Sequence, residues 1–184
     1  MLCSIVVVTE PSERRKTTTI AATLANTVDW RAAYEQHAPD LVRFLRRFVT
    51  DQAAAQDLLH DAFARAMRTS HPPSPAEVRP WLFRVASNVA LDDLRRRRRL
   101  AFLPLRERGT VAGPEFGEVD HVRRALRAIA PEQALTLTLA LHEGFSRQEV
   151  AELTGVSEET VKSRMARGRL AFAAAYQRME GAGS

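Results

Sequence analysis

Cysteine and long apolar runs are the features that this 184-residue sequence most clearly lacks. Cys3 is the single cysteine, so the chain forms no intramolecular disulfide and offers no cysteine-rich metal site. No apolar run approaches the roughly 20 residues that a membrane-spanning helix needs. The longest run near the start, residues 5–8, has no basic residue before it and does not match a secretory signal. We therefore expect a cytoplasmic protein.

Residue patterns for small-molecule chemistry are also missing. There is no glycine-rich phosphate loop, and the five histidines show no close metal-ligand spacing. His60 stands near Asp57 and Asp61, which imitates an acid/base group. The surrounding helix is rich in alanine, however, and this favours a solvated or partner-facing role for the three side chains. We expect no enzymatic activity, no cofactor and no bound metal.

Lysine is scarce among the basic residues. The chain has 27 basic residues, of which only Lys16 and Lys162 are lysines and the rest are arginines. With 22 acidic residues the net charge is +5. Arginine presents a planar fork that suits phosphates and base edges. Because a GC-rich coding sequence also favours arginine, the positions of the arginines carry more information than their number.

Glycine and proline are concentrated between two basic blocks, in a slightly acidic stretch at residues 101–120. Such residues break helices and predict a flexible linker between two domains. The predicted division is an extension at 1–28, a first domain at 29–100, the linker at 101–120, a second domain at 121–178 and a tail at 179–184. We expect the extension at 1–28 to be disordered. Alternatively, the start codon has been assigned too far upstream and these residues do not belong to the protein. A short strand at residues 5–9 would have no partner strand.

The apolar residues of the first domain recur at helical spacing. The pattern predicts helices at residues 30–49, 51–68 and 80–99, with a proline-rich loop at 69–78 before the last of them. Pro80 would lie in the first turn of its helix, where proline is tolerated. Three helices in about 70 residues form a small bundle.

The second domain is also predicted to be helical, which makes the fold class all-α with two small helical domains. A short amphipathic helix is expected at residues 121–129. The following tract alternates leucine with threonine or alanine, as a strand would. Pro131 and Gly144 bracket this tract as start and stop signals, so we prefer a helix.

Residues 146–170 have the pattern of a helix-turn-helix. Ser146 and Glu149 form a capping box, Gly155 permits the positive φ of a tight turn, and Ser157 caps the second helix. Val161 faces inward. The outward face carries polar and basic groups suited to a DNA major groove, namely Thr160, Lys162, Ser163, Arg164 and Arg167. An ordinary helical hairpin explains the periodicity but not the coincidence of these cap and turn residues.

Five consecutive arginines, residues 95–99, end the last helix of the first domain. Cations in a last turn complement the helix dipole, and a run of charges is usually a solvated face. Two or three arginines would suffice for either role, so five indicate contacts with phosphates. Trp81, upstream, either stacks on unpaired bases or packs in the core, and its spacing favours the core.

Taken together, the two halves resemble a known family. Residues 55–67 and 81–96 resemble region 2 of sigma factors, and residues 131–170 resemble region 4. The resemblance extends over roughly residues 30–100 and 121–176 and is specific because two motif sets occur in the right order. The chain resembles the extracytoplasmic-function (ECF) group of bacterial RNA polymerase sigma factors, which keep these two domains.

The resemblance implies a transcription initiation factor that binds core RNA polymerase and promoter DNA. Polymerase contacts are expected from Asp57, Leu58, His60, Asp61, Phe63 and Arg65. Contacts with a −10 element, whose unpaired base the loop at 69–79 would capture, are expected from Trp81, Asn88, Asp92, Arg95 and Arg96. Contacts with a −35 duplex are expected from Ser157, Glu159, Thr160, Lys162, Ser163, Arg164 and Arg167. The resemblance also implies an anti-sigma factor as a candidate partner that covers both domains, and the flexible linker at 101–120 would allow that closure.

Two other classes of protein stay open at this point. A helix-turn-helix regulator that acts without polymerase would share the second domain, but residues 30–100 offer neither a ligand pocket nor the sheet of a receiver domain. An adaptor that only binds another protein through an amphipathic groove would not require the arginines at 95–99.

Overall fold

The computed structural model describes residues 28–101 and 118–181 of the chain. Within these ranges the regular secondary structure is helical, which confirms the predicted fold class. The helices are α1 (Trp30–Leu45), α2 (Gln52–Met67), α3 (Val78–Ala101), α4 (Glu118–Ala128), α5 (Pro131–Leu141), α6 (Arg147–Thr154) and α7 (Glu158–Gly181). A 3-10 turn, Pro75–Glu77, precedes α3. None of the helices described is both long and apolar enough to cross a membrane.

Side-chain caps explain where the first two helices begin. The carboxylate of Asp29 accepts hydrogen bonds from the backbone N–H groups of Arg31 and Ala32 at 3.0 and 3.1 Å. Asp51 accepts from the N–H of Ala54 at 2.8 Å, and this bond lowers the pKa of Asp51. A carboxylate also suits the positive end of the helix dipole. Both helices therefore begin one residue after an aspartate.

Helices α1, α2 and α3 pack around an aromatic core. The ring of Phe44 lies 5.2 Å from that of Phe48 and 5.3 Å from that of Phe83. All three rings are buried, and burying such a side chain stabilises the fold by about 1.5–3 kcal/mol. Tyr34 and Met67 share the helical spacing of the buried apolar residues, yet Tyr34 is 36% exposed and Met67 is 57% exposed. The apolar face is thus narrower than the spacing predicted.

Helix α5 is the centre of the second half, which consists of α4–α7. Its residues from Ala134 to Leu139 are all buried. The threonines among them satisfy their hydroxyls within the helix, because Thr136 donates to the carbonyl of Glu132 at 2.7 Å and Thr138 donates to that of Ala134 at 2.9 Å. This explains why alternating leucine and threonine forms a buried helix here, as the flanking signals predicted.

Helix α7 crosses α5 at Gly168. A Cβ atom at this glycine would lie 3.1 Å from Leu137 Cδ1 and 3.2 Å from Gln133 Cβ. The missing side chain therefore allows the close approach of the two helices.

The two halves lie against each other, with α3 of the first half packed on α5 and α6 of the second. Helix α3 extends to Ala101 and α4 begins at Glu118, so both ends of the stretch predicted as a linker are helical. Helix α7 continues to Gly181, into the stretch predicted as a tail. The predicted disordered extension, the strand at residues 5–9 and the middle of the linker lie outside the described residues. The predicted domain boundaries stay predictions.

Candidate nucleic-acid interface

The helix-turn-helix begins with the predicted capping box. The N–H of Glu149 donates to Ser146 Oγ at 3.2 Å, and the N–H of Ser146 donates to the Glu149 carboxylate at 2.7 Å. This backbone donor lowers the pKa of Glu149. Helix α6 ends at Thr154 and is capped by Gly155, whose φ of 68° lies in the left-handed region that glycine tolerates best. The local predictions for this turn are confirmed.

Ser157 and Thr160 fix the start of helix α7. The N–H of Thr160 donates to Ser157 Oγ at 3.2 Å, and the two hydroxyls lie 2.9 Å apart. Val161 is fully buried and holds the first turn on the rest of the second half. Both Ser157 and Thr160, predicted to contact DNA, thus also serve to orient the helix.

The outward face of α7 presents a row of polar groups. Glu159, Lys162 and Arg167 are exposed, whereas Ser163 and Arg164 are half-buried. Lys162 Nζ lies 3.6 Å from a Glu159 oxygen, and such an exposed ion pair is worth little free energy. Lys162 can therefore exchange this partner for a base edge or a phosphate of a duplex.

Helix α3 carries the residues predicted for the −10 element. Asn88 and Asp92 are exposed. Trp81 is half-buried, with its ring 5.8 Å from that of Trp30, which supports the core interpretation that its spacing favoured. The remaining surface of Trp81 lines a groove of about 400 Å³ between α6 and the loop that contains His71.

Four of the five consecutive arginines are held by acceptors within the protein. Arg95 donates through Nε and Nη2 to Glu132 Oε1 at 3.1 and 2.8 Å. Arg96 and Arg97 donate to the two oxygens of Asp93 at 2.7 and 2.5 Å, and Arg98 donates to the carbonyl of Ile129. Asp93 is 5% exposed, so these two arginines satisfy a buried carboxylate.

Neither of these carboxylates, Asp93 and Glu132, is among the site residues predicted from the sequence. Asp93 precedes Arg96 and Arg97 by three and four residues, a spacing at which helical side chains meet, so it could have been found. Glu132 is 37 positions from Arg95 along the chain, and no local pattern predicts that contact.

The charge of Glu132 is favoured by its partners. Partial burial raises the pKa of this carboxyl, but the hydrogen bond from Arg95, with smaller contributions from its own backbone and from the charges of Arg95 and Arg164, lowers it more. The net result is a pKa below the ordinary glutamate value. Glu132 is therefore ionised, and its bond to Arg95 is charge-assisted.

The residues predicted to contact polymerase lie on α2 and do not form one uniform surface. Asp57 and His60 are exposed, and Leu58 and Asp61 are half-buried. Phe63 is 4% exposed, and its ring lies 4.8 Å from that of Tyr34. Most of this ring is therefore covered within the protein, and the expected contact of Phe63 with polymerase stays a prediction.

Arg65 joins the predicted polymerase and DNA residues. It donates through Nε and Nη2 to Asp61 at 3.2 and 2.9 Å, and through Nη1 to Asp92 at 3.2 Å. The hydrogen bond to Asp61 is the main reason that the pKa of Arg65 is raised. One guanidinium thus links helices α2 and α3 at the surface.

Further contacts hold the two halves together. Arg84 Nη2 donates to the carbonyl of Glu152 at 2.9 Å, and Arg127 Nη1 donates to that of Val49 at 2.7 Å. No cluster of three side chains suited to a metal ion occurs among the residues described.

Two family models match the chain. The model of Sigma-70 region 2 matches residues 33–100, and that of Sigma-70, region 4, matches residues 120–172. The families named by these models consist of transcription initiation factors rather than enzymes.

Curated relatives agree with the family models. The ECF RNA polymerase sigma factor SigE of Mycolicibacterium smegmatis is 32% identical over 150 residues, which cover 76% of this chain and 58% of that protein. The chain thus spans less than two thirds of SigE. The RNA polymerase sigma factor CarQ of Myxococcus xanthus is 31% identical, with 73% of this chain and 82% of CarQ covered. SigL of Mycobacterium tuberculosis is 33% identical, with 73% and 81% covered.

Solved structures share the fold. The sigma factor RpoE from Bartonella quintana, in complex with the anti-sigma factor NepR, has a TM-score of 0.59 and 21% identity, with 81% of this chain and 97% of that chain covered. CnrH, in complex with the cytosolic domain of CnrY, has a TM-score of 0.58 and 25% identity, with 84% and 94% covered. With region 2 and region 4 both matched, and with relatives above 30% identity, the chain belongs to the ECF sigma factors of the sigma-70 family.

Proposed function

We propose that this protein binds core RNA polymerase in the cytoplasm, directs it to specific promoters and helps to open the DNA there. The observation that carries the proposal is the presence of region 2 and region 4 in one chain, with an exposed helix-turn-helix surface on α7. None of these three activities requires the protein to catalyse a reaction, since binding and positioning of polymerase and DNA suffice.

Helix α7 is proposed to read the −35 duplex. Exposed Glu159, Lys162 and Arg167, together with half-buried Ser163 and Arg164, would reach base edges and phosphates in the major groove. Ser157 and Thr160 would act mainly by holding the first turn in place.

Helix α3 and the loop before it are proposed to hold the −10 strand. Arg95 and Arg96 would contact phosphates, exposed Asn88 would contact the strand, and Asp92 would position Arg65 or a base. The unpaired base would bind beside the loop at 69–79. Its capture costs least free energy at base steps of the promoter that unstack readily.

Helix α2 is proposed to contact polymerase through Asp57, Leu58, His60, Asp61 and Arg65, and Phe63, which is 4% exposed, would contribute little surface. An anti-sigma partner is proposed as well, on the ground that the similar RpoE and CnrH structures each hold a bound protein.

The proposal is tested by mixing the purified protein with bacterial core RNA polymerase, using DNA upstream of its own gene as template. We expect co-elution with polymerase and a transcript with one defined start. DNA binding without co-elution would instead identify a regulator that acts without polymerase.

A charge reversal on α2 tests the docking surface. Asp57→Arg should prevent co-elution, because it reverses a charge on the proposed polymerase surface. The fold should not change, since Asp57 is exposed and forms no ion pair among the residues described. Glu180→Arg, an exposed position at the far end of α7, is the matched control and should co-elute normally. Normal co-elution of Asp57→Arg would remove Asp57 from the polymerase surface.

A further inference from the structure

Arg79, at the start of α3, carries hydrogen-bond donors that no oxygen of the described residues accepts. Its guanidinium lies over the rings of Phe83 and Phe145, 5.0 Å from each centroid, and it forms no hydrogen bond or ion pair with the residues that the structure describes. Arg84 and Arg95, on the same helix, donate to oxygens of the protein instead. A cation–π contact holds the charge of Arg79 in place but gives its N–H groups no oxygen acceptor.

Arg79 lines an open groove of about 470 Å³ between the start of α1 and the start of α3. Gln36 and His37 of α1 and Pro75 of the 3-10 turn line the same groove. The acidic residue in this lining is Asp29, whose carboxylate already accepts two backbone N–H groups of α1. The guanidinium of Arg79 therefore faces a groove in which the polar groups suit an anion.

The acidic groups near Arg79 leave its charge available. The pKa of His37 is lowered mainly by partial burial and further by the charge of Arg79, against an opposing effect of Asp40. The pKa of Glu149 is lowered mainly by the backbone N–H of Ser146 and only slightly by Arg79. Glu149 thus binds Ser146, and within the described part of the chain no carboxylate contacts the guanidinium of Arg79 directly.

The groove lies beside the segments that are proposed to hold the −10 strand. Pro75 and Ala76 line it and belong to the loop at 69–79, where the unpaired base is proposed to bind. Trp81 follows Arg79 by two residues. Each nucleotide carries a phosphate, so a base bound beside this loop brings phosphates to the start of α3. Phosphate oxygens are common partners of arginine in DNA complexes.

We propose that Arg79 binds a backbone phosphate of the −10 strand and thereby fixes the strand beside the loop that captures the unpaired base. The proposal rests on the proposed function at one point, the binding of this strand by the first half. A phosphate contact positions the strand and carries no sequence information. Because the rings of Phe83 and Phe145 already restrict the guanidinium, less conformational entropy is lost when the phosphate binds.

The test uses the full chain assembled with bacterial core RNA polymerase and a short fluorescein-labelled single-stranded DNA. Fluorescence anisotropy is the readout, and core polymerase alone gives the baseline. Arg79→Met keeps an unbranched side chain over the two rings and removes the charge and the donors. We expect it to bind the strand about 3- to 5-fold more weakly than the wild type, as for the loss of one exposed ionic contact.

The salt dependence shows whether the lost contact is ionic. The slope of log affinity against log salt concentration should become shallower by about 0.7 in Arg79→Met, which corresponds to one phosphate of a single strand. Arg79→Lys keeps the charge without the planar fork, so its slope should match the wild type and its affinity should fall less. Two strands of unrelated sequence should lose affinity by the same factor, because every nucleotide carries a phosphate.

Arg43→Met is the matched control, since it changes the net charge equally. Arg43 is an exposed arginine in the last turn of α1, whereas the groove lies at the first turns of that helix. This variant should bind the strand like the wild type, with the same salt slope. Co-elution with polymerase shows that each variant is folded before its affinity is compared.

The outcomes separate this assignment from the function on which it rests. If the wild-type complex binds the strand no better than core polymerase alone, the proposed binding of the −10 strand is wrong and the assignment of Arg79 fails with it. If the wild type binds and Arg79→Met binds equally well, the assignment is wrong while the proposed function stands. A loss confined to one of the two sequences would identify a base contact and overturn the phosphate contact. Equal losses in Arg79→Met and Arg79→Lys with an unchanged slope would give Arg79 a purely structural role.

Discussion

The ring of Phe83, on α3, lies 5.3 Å from the ring of Phe145, which precedes α6, in an edge-to-face arrangement. The guanidinium of Arg79 lies 5.0 Å from the centroids of both rings. Aromatic pairs and cation–π contacts of this kind add to the burial of apolar area. The contact between the two halves therefore has an apolar centre beside the polar contacts of the arginines.

Removing the ring of Phe145 should destabilise the protein. Phe145→Ala leaves a cavity where a ring that is 6% exposed now packs, and we expect a loss of about 3–5 kcal/mol in the free energy of unfolding. Urea denaturation followed by circular dichroism measures the loss. Leu170→Ala is the control, since Leu170 is 75% exposed and its truncation should change the stability by less than about 0.5 kcal/mol. Equal losses in both variants would contradict the proposed role of Phe145.

The turn of the helix-turn-helix should depend on backbone conformation at Gly155. Its φ is 68°, and apart from its two neighbours in the chain no residue has an atom within 4 Å of the position that a Cβ would take. Gly155→Ala should therefore cost about 1–2 kcal/mol through backbone strain alone. Gly155→Asn should cost less, because asparagine adopts this conformation more readily. Thermal unfolding of the two variants compares the costs, and an alanine variant as stable as the wild type would exclude strain.

Acidification should weaken the first half through His37. Partial burial and the charge of Arg79 lower the pKa of His37 below its ordinary value of 6.5, against a smaller opposing effect of Asp40. The unfolded chain thus binds a proton more readily than the folded one, so this contribution to stability is complete above pH 6.5 and is lost as the pH falls toward the folded-state pKa.

The variant that tests this pH dependence is His37→Gln, which has no group that titrates in the same range. Urea denaturation at neutral and mildly acidic pH should show a smaller loss of stability for the variant than for the wild type. An identical pH dependence in both proteins would show that another group is responsible.

Arg164 should read one base of the −35 duplex. If its guanidinium binds a guanine with two donors, Arg164→Ala should cost about 1–3 kcal/mol on the preferred sequence and relax the preference at a single base pair. Binding to a set of single-base variants of the duplex measures this. Arg178→Ala is the control, because Arg178 is an exposed arginine at the far end of the same helix. A uniform loss across all sequences would make Arg164 a phosphate contact.

Features set by neighbours in the chain could be predicted from the sequence. The capping box of Ser146 and Glu149 spans three residues, and the φ of Gly155 follows from a glycine at a helix end. Helix α5 is predicted from the proline at its start and the glycine after its end. In each case the determining groups lie within one or two helical turns.

Features set by contacts between distant segments could not be predicted in the same way. Helical spacing places Phe63 and Met67 on one stripe, yet Phe63 is 4% exposed and Met67 is 57% exposed. Phe63 packs against the ring of Tyr34 on another helix, a contact that the spacing along α2 does not predict. The acceptor for Arg95 lies in another half of the protein. A run of arginines indicates what it can bind, while the tertiary fold decides what it does bind.

One side chain, Arg65, is shared between two aspartates on different helices. On the proposed assignment, Asp61 faces polymerase and Asp92 faces promoter DNA, so the two functions cannot be altered independently at this arginine. A genetic screen should recover Arg65 substitutions as pleiotropic alleles, with defects in holoenzyme assembly and in promoter choice inherited together. Alleles of Asp57, which does not share this guanidinium, should affect assembly alone.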